Sequence, residues 1–372
     1  MWISEKVCSS PQQFFDSVCA AINSASSSVL VEMYIFRKDM LGSRLLDAMR
    51  SAAARGVDVR IVVDGVGSPA WSVNFLRELA EEKISARVYN PIPGTRLSDN
   101  WQIPSIRRVV EFVTRLNNRN HRKLVVVDNV TAFVGSCNVT DVHQRWRETA
   151  VTVTGQAVAE ICGSFEVIWR RSSRSGVSWS QSQRHKLLTG LKNSSLVRVN
   201  CTRKLRQLHN SEIIRRIEKA SDRVWITTAY FVPSPVLVGA LVHAAMKGRD
   251  VRLLLPGKND IGVVSCVSRM FYLGLMKFGV KIYEYQPSML HAKTLLVDEW
   301  ASVGTTNLNH RSLYHDLEVD ITLSKPESIN SLERQFISDL AVSHEVTQER
   351  LQRRSLLEKV SGYIAYPFRT FI

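Results

Sequence analysis

The sequence has no C-x-x-C pair among its six cysteines, and no cysteine stands at metal-ligand spacing from a histidine. This absence argues against a zinc site and a disulfide framework, and it predicts free thiols in a reducing compartment. The N-terminus lacks the apolar h-region of a signal peptide, so we expect a cytosolic chain. An uncharged run from Val224 to Met246 is long enough to span a membrane. However, Pro233 and Pro235 predict a buried strand followed by a new helix instead.

Acidic residues are in deficit. The chain has 34 Asp and Glu against 49 Lys and Arg, which gives a formal net charge of +15. This excess predicts an anionic partner, either lipid headgroups or nucleic acid, and charge alone does not choose between them. With 372 residues, 45% of them apolar, the chain suits two domains of roughly 150 to 200 residues, each with its own core.

One polar pattern occurs twice, as H-x-K-x4-D followed by G-[ST]-x-N. Its residues are His121, Lys123, Asp128 and Asn138 in the first copy and His291, Lys293, Asp298 and Asn307 in the second. The apolar stretch inside each copy predicts a buried strand, on which a His and a Lys two residues apart face the same side. Glu148 and Glu318 each lie 27 residues after the histidine of their own copy. A single copy would be typical of a solvated surface pair, whereas the matched repetition predicts a shared function.

Strands and helices alternate in both halves of the chain. Residues 29–36, 57–63 and 86–89 are predicted strands, and a helix is predicted near residues 71–82. Such alternation favours an α/β fold with mostly parallel sheets and helices on their faces. Residues 46–60 match residues 238–252, which predicts a duplicated domain. We expect an N-terminal half at 1–171, a linker rich in Ser and Arg at 172–192, and a C-terminal half at 193–372.

The first half carries about 26 additional residues just before His121, within 92–120. Their apolar residues recur at helical spacing beside a basic side, which predicts a basic amphipathic helix in a membrane interface. An ordinary helix packed on the domain is an equally weighted alternative. The candidate membrane-binding residues are Ile103, Ile106, Arg107, Arg108, Val110, Val113 and Arg115.

The paired patterns resemble the phospholipase D superfamily, in which two H-K-D motifs meet in one active site. Further stretches between Val29 and Leu323 resemble bacterial cardiolipin synthases: Asn120-His-Arg-Lys-Leu, Arg145-Trp-Arg-Glu-Thr, Tyr230-Phe-Val-Pro, Ile282-Tyr-Glu-Tyr and Pro287-Ser-Met-Leu-His-Ala-Lys. The resemblance implies a phospholipase D-like α/β sandwich of two pseudo-symmetric halves that share one site. The transmembrane pair of many such synthases is absent, which fits a shorter, membrane-peripheral type. The insertion departs from the family pattern and leaves substrate choice open.

Phosphodiester chemistry explains why these residue types recur together. A neutral histidine nitrogen can attack phosphorus, while a second, protonated histidine gives its proton to the departing alcohol. We expect Glu148 and Glu318 to hold the Nδ1–H of the histidine in their own half. Lys123, Lys293, Asn138 and Asn307 would contact the phosphate oxygens, and the lysine charges make a metal or other cofactor unnecessary. Asp128 and Asp298 end their strands, so we give these two members of the candidate catalytic set a supporting role.

The sequence therefore predicts a cardiolipin synthase-type phosphatidyltransferase that acts through a phosphohistidine. By resemblance, His121 is the nucleophile and His291 the acid. The alternatives are a hydrolytic phospholipase D or nuclease, and a non-catalytic membrane-binding protein. Expected partners are anionic phospholipids at a membrane surface, with nucleic acid the weaker alternative. We expect a peripheral location on the cytoplasmic side of the membrane, the inner membrane if the source is bacterial. His143, His310 and His315 are interpreted as polar-loop residues.

Overall fold

The computed structural model describes residues 1–91, 117–172, 195–352 and 356–368. Most of the insertion and of the linker, and all seven candidate membrane-binding residues, therefore lie outside the described residues. Among the helices that are described, none is long and apolar enough to cross a membrane.

Seven strands form a sheet in the N-terminal half, in the order β1-β7-β6-β5-β2-β3-β4. β2, β3 and β4 are parallel to one another, and every other neighbouring pair in this sheet is antiparallel among the described strands. The strands are β1 (Ser4–Cys8), β2 (Ser28–Met33), β3 (Asp58–Asp64), β4 (Ile84–Tyr89), β5 (Lys123–Val127), β6 (Thr131–Gly135) and β7 (Ala150–Thr154).

The C-terminal half repeats this sheet. Its order is β8-β14-β13-β12-β9-β10-β11-β15, so β8 to β14 occupy the places of β1 to β7 and β15 is added at the far edge. The strands are β8 (Val197–Val199), β9 (Arg223–Thr227), β10 (Asp250–Pro256), β11 (Lys281–Tyr285), β12 (Thr294–Val297), β13 (Trp300–Gly304), β14 (Val319–Leu323) and β15 (Ser343–Glu345). The predicted duplication is confirmed, together with the strand at Val224 and the helix after Pro235.

The prediction that the sheets are mostly parallel is wrong, because both sheets are mixed. The alternation of strands and helices does give the parallel strands β2–β3–β4 and β9–β10–β11. The chain, however, reverses direction after each motif strand. Three residues connect β5 to β6, and two connect β12 to β13. A connection this short can only join antiparallel neighbours.

Helices flank both sheets and lie between them. Several start at a side chain that accepts a backbone N–H of the first turn, as Ser10, Asp39 and Ser234 do. The helices are α1 (Pro11–Asn23), α2 (Met40–Ala54), α3 (Val73–Glu81), α4 (Val158–Arg171), α5 (Arg203–Lys219), α6 (Pro235–Met246), α7 (Gly262–Lys277), α8 (His310–Tyr314), α9 (Pro326–Ala341), α10 (Gln348–Gln352) and α11 (Leu356–Ala365).

The two sheets pack against each other through one continuous core. In β5, Leu124 and Val126 belong to this central core, whereas Val125 and Val127 belong to the core under α1 and α2. This alternation follows from the two-residue period of a strand. Residues of β13, β14, α4 and α9 complete the central core, so burial of apolar surface joins the halves into one body.

Candidate active site

Both motif histidines lie where the backbones of the two halves pair. The N–H of His121 donates to the carbonyl of Leu317 at 3.0 Å, and the N–H of His291 donates to the carbonyl of Arg147 at 2.8 Å. Short parallel bridges, Asn120 with Leu317 and Arg147 with Leu290, set this register. Each histidine is therefore aligned with the segment that precedes the glutamate of the other half.

Each histidine ring is held by a glutamate across this junction. The Nδ1–H of His121 donates to the Glu318 carboxylate at 3.0 and 3.1 Å, and that of His291 donates to the Glu148 carboxylate at 2.8 and 2.9 Å. The prediction that each glutamate holds the histidine of its own half is therefore wrong. The bridged backbones place each glutamate beside the opposite histidine. Both Nδ1 atoms are occupied, so each Nε2 is the ring nitrogen left for chemistry.

The two motif lysines are buried beside the histidines. The Nζ of Lys123 donates to the carbonyl of His121 at 2.6 Å, and the Nζ of Lys293 donates to the carbonyl of His291 at 2.5 Å. Their side chains look the same way as their histidines, as the strand period predicts. Both buried lysines are close enough to each histidine to lower its pKa by their charge.

Burial shifts the pKa of each histidine, lysine and glutamate in this centre in the direction that favours the neutral form of the group. Desolvation, reinforced by the nearby lysines, lowers the pKa of both histidines well below 6.5. Desolvation also lowers the pKa of Lys123 to about 8 and of Lys293 to about 7, despite the opposing carboxylates. It raises the pKa of Glu148 and Glu318 to about 7, against the nearby lysine charges. At neutral pH the histidines therefore have a free lone pair.

The two motif asparagines have different surroundings. Asn138 accepts the N–H of Ile35 at 3.3 Å, and its Nδ2 lies 3.2 Å from the Nδ1 of His143. The Oδ1 of Asn307 is buried and has no hydrogen-bond partner in the described part of the chain. An unpaired buried amide oxygen is costly, and it is typical of a site that receives a ligand.

Aromatic rings line the centre, and the sequence analysis assigned them no role. The ring of Tyr34 lies 5.0 Å from His121, while Trp146 and Tyr230 lie 5.3 and 6.2 Å from His291. His143 stacks on Trp146 at 3.6 Å and approaches His291 at 5.7 Å, so it lies beside the centre, and its interpretation as a loop residue without a catalytic role stays a prediction. Trp146 and Tyr230 do fall in the synthase-like stretches, which is the signal that could have identified them.

His143, Glu148 and His291 bring their ligand atoms within 4.8 Å of one another, which is a spacing that a metal ion requires. The Glu148 carboxylate already accepts the His291 Nδ1–H, and Lys293 is close enough to influence the pKa of Glu148. An ammonium group in this place opposes a second cation and favours an anion.

Asp128 and Asp298 lie outside this centre. Asp128 follows β5, about 16 Å from Lys123 at roughly 3.3 Å per strand residue. Its carboxylate accepts the N–H groups of Ser26, Ser27 and Ser28, and that of Asp298 accepts the N–H groups of residues 221–223. Burial opposes ionisation, but these bonds outweigh it and lower the pKa of both groups. Their supporting role is structural, at the ends of β5 and β12 that lie away from the histidines.

The stretch before His121 is fixed by buried charges that sequence reasoning missed. The guanidinium of Arg119 donates to Asp64 at 2.7 Å, and Asn120 donates from its side chain to Glu32 at 2.8 Å. On the other side, Arg147 pairs with Asp339 at 2.8 Å. These partners are far apart in the chain, so no local pattern could have paired them.

Comparisons with known proteins agree with this geometry. A family model described as "Cardiolipin synthase, PLD-like domain" matches residues 18–169 and 213–340. The chain is 29% identical to a cardiolipin synthase of Halalkalibacterium halodurans, over 95% of this chain and 69% of that protein. It is 30% identical to one of Oceanobacillus iheyensis, over 93% and 70%. The fold is similar to that of phosphatidylserine synthase from Haemophilus influenzae, with a TM-score of 0.69, 14% identity, and coverage of 99% and 95%.

Proposed function

The chain belongs to the cardiolipin synthase, PLD-like domain family, and we propose that it is a phosphatidyltransferase that forms cardiolipin from phosphatidylglycerol. The observation that carries this proposal is the pair of crossed His–Glu contacts. Each contact engages Nδ1 and leaves Nε2 available, and a buried lysine lies beside each histidine. That arrangement suits an anionic phosphodiester and a double displacement.

In the first step, His121 acts as the nucleophile. Its neutral Nε2 attacks the phosphorus of the donor lipid, an N–P bond forms, and the bond from phosphorus to the glycerol oxygen breaks. His291 supplies the proton that this oxygen takes up, so glycerol leaves as a neutral alcohol. The anionic phosphate counteracts the effect of burial and favours the protonated form of His291, while Glu148 stabilises the imidazolium.

In the second step, the roles reverse. His291, now neutral, removes the proton from the glycerol hydroxyl of a second phosphatidylglycerol. The resulting oxygen attacks phosphorus, the N–P bond breaks, and His121 is regenerated with cardiolipin as the product. Lys123, Lys293, Asn138 and Asn307 would hold the phosphate oxygens through both steps. The unpaired Asn307 oxygen is placed to accept a hydroxyl of the acceptor.

Transfer is favoured over hydrolysis by how little of the centre is open to water. His121 is 8% exposed and His291 is 3% exposed, and aromatic rings border both of them. A site that excludes water protects a phosphoenzyme until an alcohol arrives. We further propose that the enzyme acts peripherally, on the cytoplasmic face of a membrane, with boundaries at 1–171 and 193–372 for its halves.

Incubation with phosphatidylglycerol vesicles, followed by chromatography of the lipids, tests the proposal. We expect cardiolipin and free glycerol in equal amounts. Phosphatidic acid as the main product would show hydrolysis instead. Untouched lipid together with nicking of a plasmid would show that the chain is a nuclease.

A further inference from the structure

The edge of the molecule that carries the catalytic centre exposes large apolar side chains. Met40 is 80% exposed, Val142 54%, Ile261 49% and Val263 50%. The first two belong to the N-terminal half and the last two to the C-terminal half. The apolar residues thus come from both sides of the junction that holds the histidines.

Contacts in the N-terminal half link this surface to the centre. The N–H of Met40, at the start of α2, donates to Asp141 at 3.1 Å. Asp141 begins the short 3-10 helix Asp141–Arg145, which contains Val142. The next residue is His143, whose ring lies 5.7 Å from that of His291. Met40 and Val142 therefore lie on segments that adjoin the catalytic centre through His143.

A second chain of contacts runs through the C-terminal half. Tyr230, whose ring is 6.2 Å from His291, donates its hydroxyl to Asp260 at 2.9 Å. Ile261 follows Asp260 directly, and Val263 lies in the first turn of α7. These two side chains therefore follow closely on a residue that contacts the aromatic side chain next to His291.

Exposed cations accompany the apolar side chains. We call the combined surface the rim; it consists of Arg37, Lys38, Met40, Val142, Arg145, Lys258, Ile261 and Val263. Three carboxylates stand among these four cations: Asp39 and Asp141 accept backbone N–H groups, and Asp260 accepts the Tyr230 hydroxyl. Apolar groups among cations are the composition that an anionic bilayer surface favours.

We propose that the rim is the surface that docks onto an anionic bilayer, with Met40, Val142, Ile261 and Val263 entering the interface. The proposal rests on the proposed function, since it places the histidines over lipid headgroups. The histidines are deeply buried, so a lipid phosphodiester has the shortest path to them when the rim lies against the membrane. Docking in this orientation lets the headgroup leave the bilayer without crossing bulk water.

The test is sedimentation with vesicles of equal parts phosphatidylcholine and phosphatidylglycerol, in a His121→Asn background that prevents turnover. The rim variants are the double change Ile261→Glu with Val263→Glu, and the single change Met40→Glu in the other half. The matched control is Val130→Glu. Val130 is 57% exposed but lies in the β5–β6 turn beside Asp128, at the opposite edge.

We expect each rim variant to bind vesicles at least tenfold more weakly than the background protein, and the control to bind equally well. In the active protein, the same rim variants should keep hydrolysis of a small soluble phosphodiester within about twofold. That result would show that they fold and that their centre is intact.

Rim variants that bind as well as the control would overturn the proposal, particularly if charge reversal in residues 107–115 abolished binding. The proposed function is judged separately, by the lipid product of the unmodified enzyme. Rim-dependent binding without cardiolipin formation would contradict that function and leave the docking surface standing.

Discussion

At the scale of single residues, the crossed contacts determine which glutamate orients which histidine. Both histidines, both lysines, both glutamates and both asparagines are buried residues at or beside the centre. The interval from His121 to Glu148 equals that from His291 to Glu318. Equal intervals do not indicate that each glutamate contacts the histidine of the other half. The backbone bridges at Leu317 and Arg147, together with the His–Glu hydrogen bonds, show that the pairs are crossed. Tyr34 and His143 were not recognised, because their role depends on packing across loops.

The crossed pairing predicts different effects for the two glutamates. With a nitrophenyl phosphodiester, whose leaving group needs no proton, Glu318→Gln should slow phosphohistidine formation by about 10² or more, because it weakens the support of the nucleophile His121. Glu148→Gln should slow the same burst far less, since it supports the acid. Rapid-quench measurement of the burst checks this. The opposite ranking would favour pairing within each half, or His291 as the nucleophile.

Buried lysines predict an alkaline loss of activity. Burial lowers the pKa of Lys293 from 10.5 to about 7 and of Lys123 to about 8, so their charges are lost as the pH rises through these values. We expect kcat/KM to fall above about pH 7–8. Lys293→Arg keeps its charge at any such pH and should move this fall to higher pH, even if its peak rate is lower. An unmoved alkaline limb in the arginine variant would assign the fall to another group.

Asp128 should matter for stability and not for catalysis. Asp128→Ala removes charged hydrogen bonds to Ser26–Ser28. Such a bond is worth about 1.5–3 kcal/mol when shielded from water, and less at this exposed position, where solvent screens the charge. The folded-state pKa is lowered, so this stabilisation is present above the ordinary pKa near 3.9 and is lost as the pH falls toward the lower folded value.

Thermal unfolding and specific activity together check this assignment. The melting temperature should drop at neutral pH, while the activity per folded molecule, measured well below that temperature, should stay within about twofold. An unchanged melting temperature with lost activity would return Asp128 to the catalytic groups.

At the scale of elements, periodicity and turn signals located the strands and helices of the repeated half-domain. They fixed β2, β3, β4, α3, β9 and α6 to within a few residues. Strand direction was missed because hydrophobic period is the same in parallel and antiparallel strands. The deciding feature was the length of the connection after β5 and β12, which sets direction regardless of side chains.

The insertion yields a prediction from its sequence alone. Changing Arg107, Arg108 and Arg115 to Glu should weaken binding to anionic vesicles, because each arginine near the surface is worth about 1 kcal/mol. The loss should be larger at low salt, where screening is weaker. Sedimentation at two salt concentrations measures it, with a small soluble phosphodiester as the control substrate. Unaltered binding would indicate a helix packed on the domain, and a matching loss on the soluble substrate would indicate a role in shaping the site.

At the scale of the whole molecule, duplication explains both the fold and the site. Each half supplies one histidine, one lysine and one glutamate. Each glutamate accepts a hydrogen bond from the histidine of the other half. Neither half holds an oriented histidine without its partner. The net charge of +15 is a property of the whole chain, and it fits a substrate that lies in an anionic surface.

The most direct measurement of the central claim is turnover of phosphatidylglycerol by the single variants His121→Asn and His291→Asn. One shared site predicts that either change abolishes turnover, with a loss of at least about 10² to 10⁴. Near-native melting temperatures in both variants would exclude unfolding as the cause. About half of the activity remaining in either variant would mean two independent sites, and would contradict the shared centre.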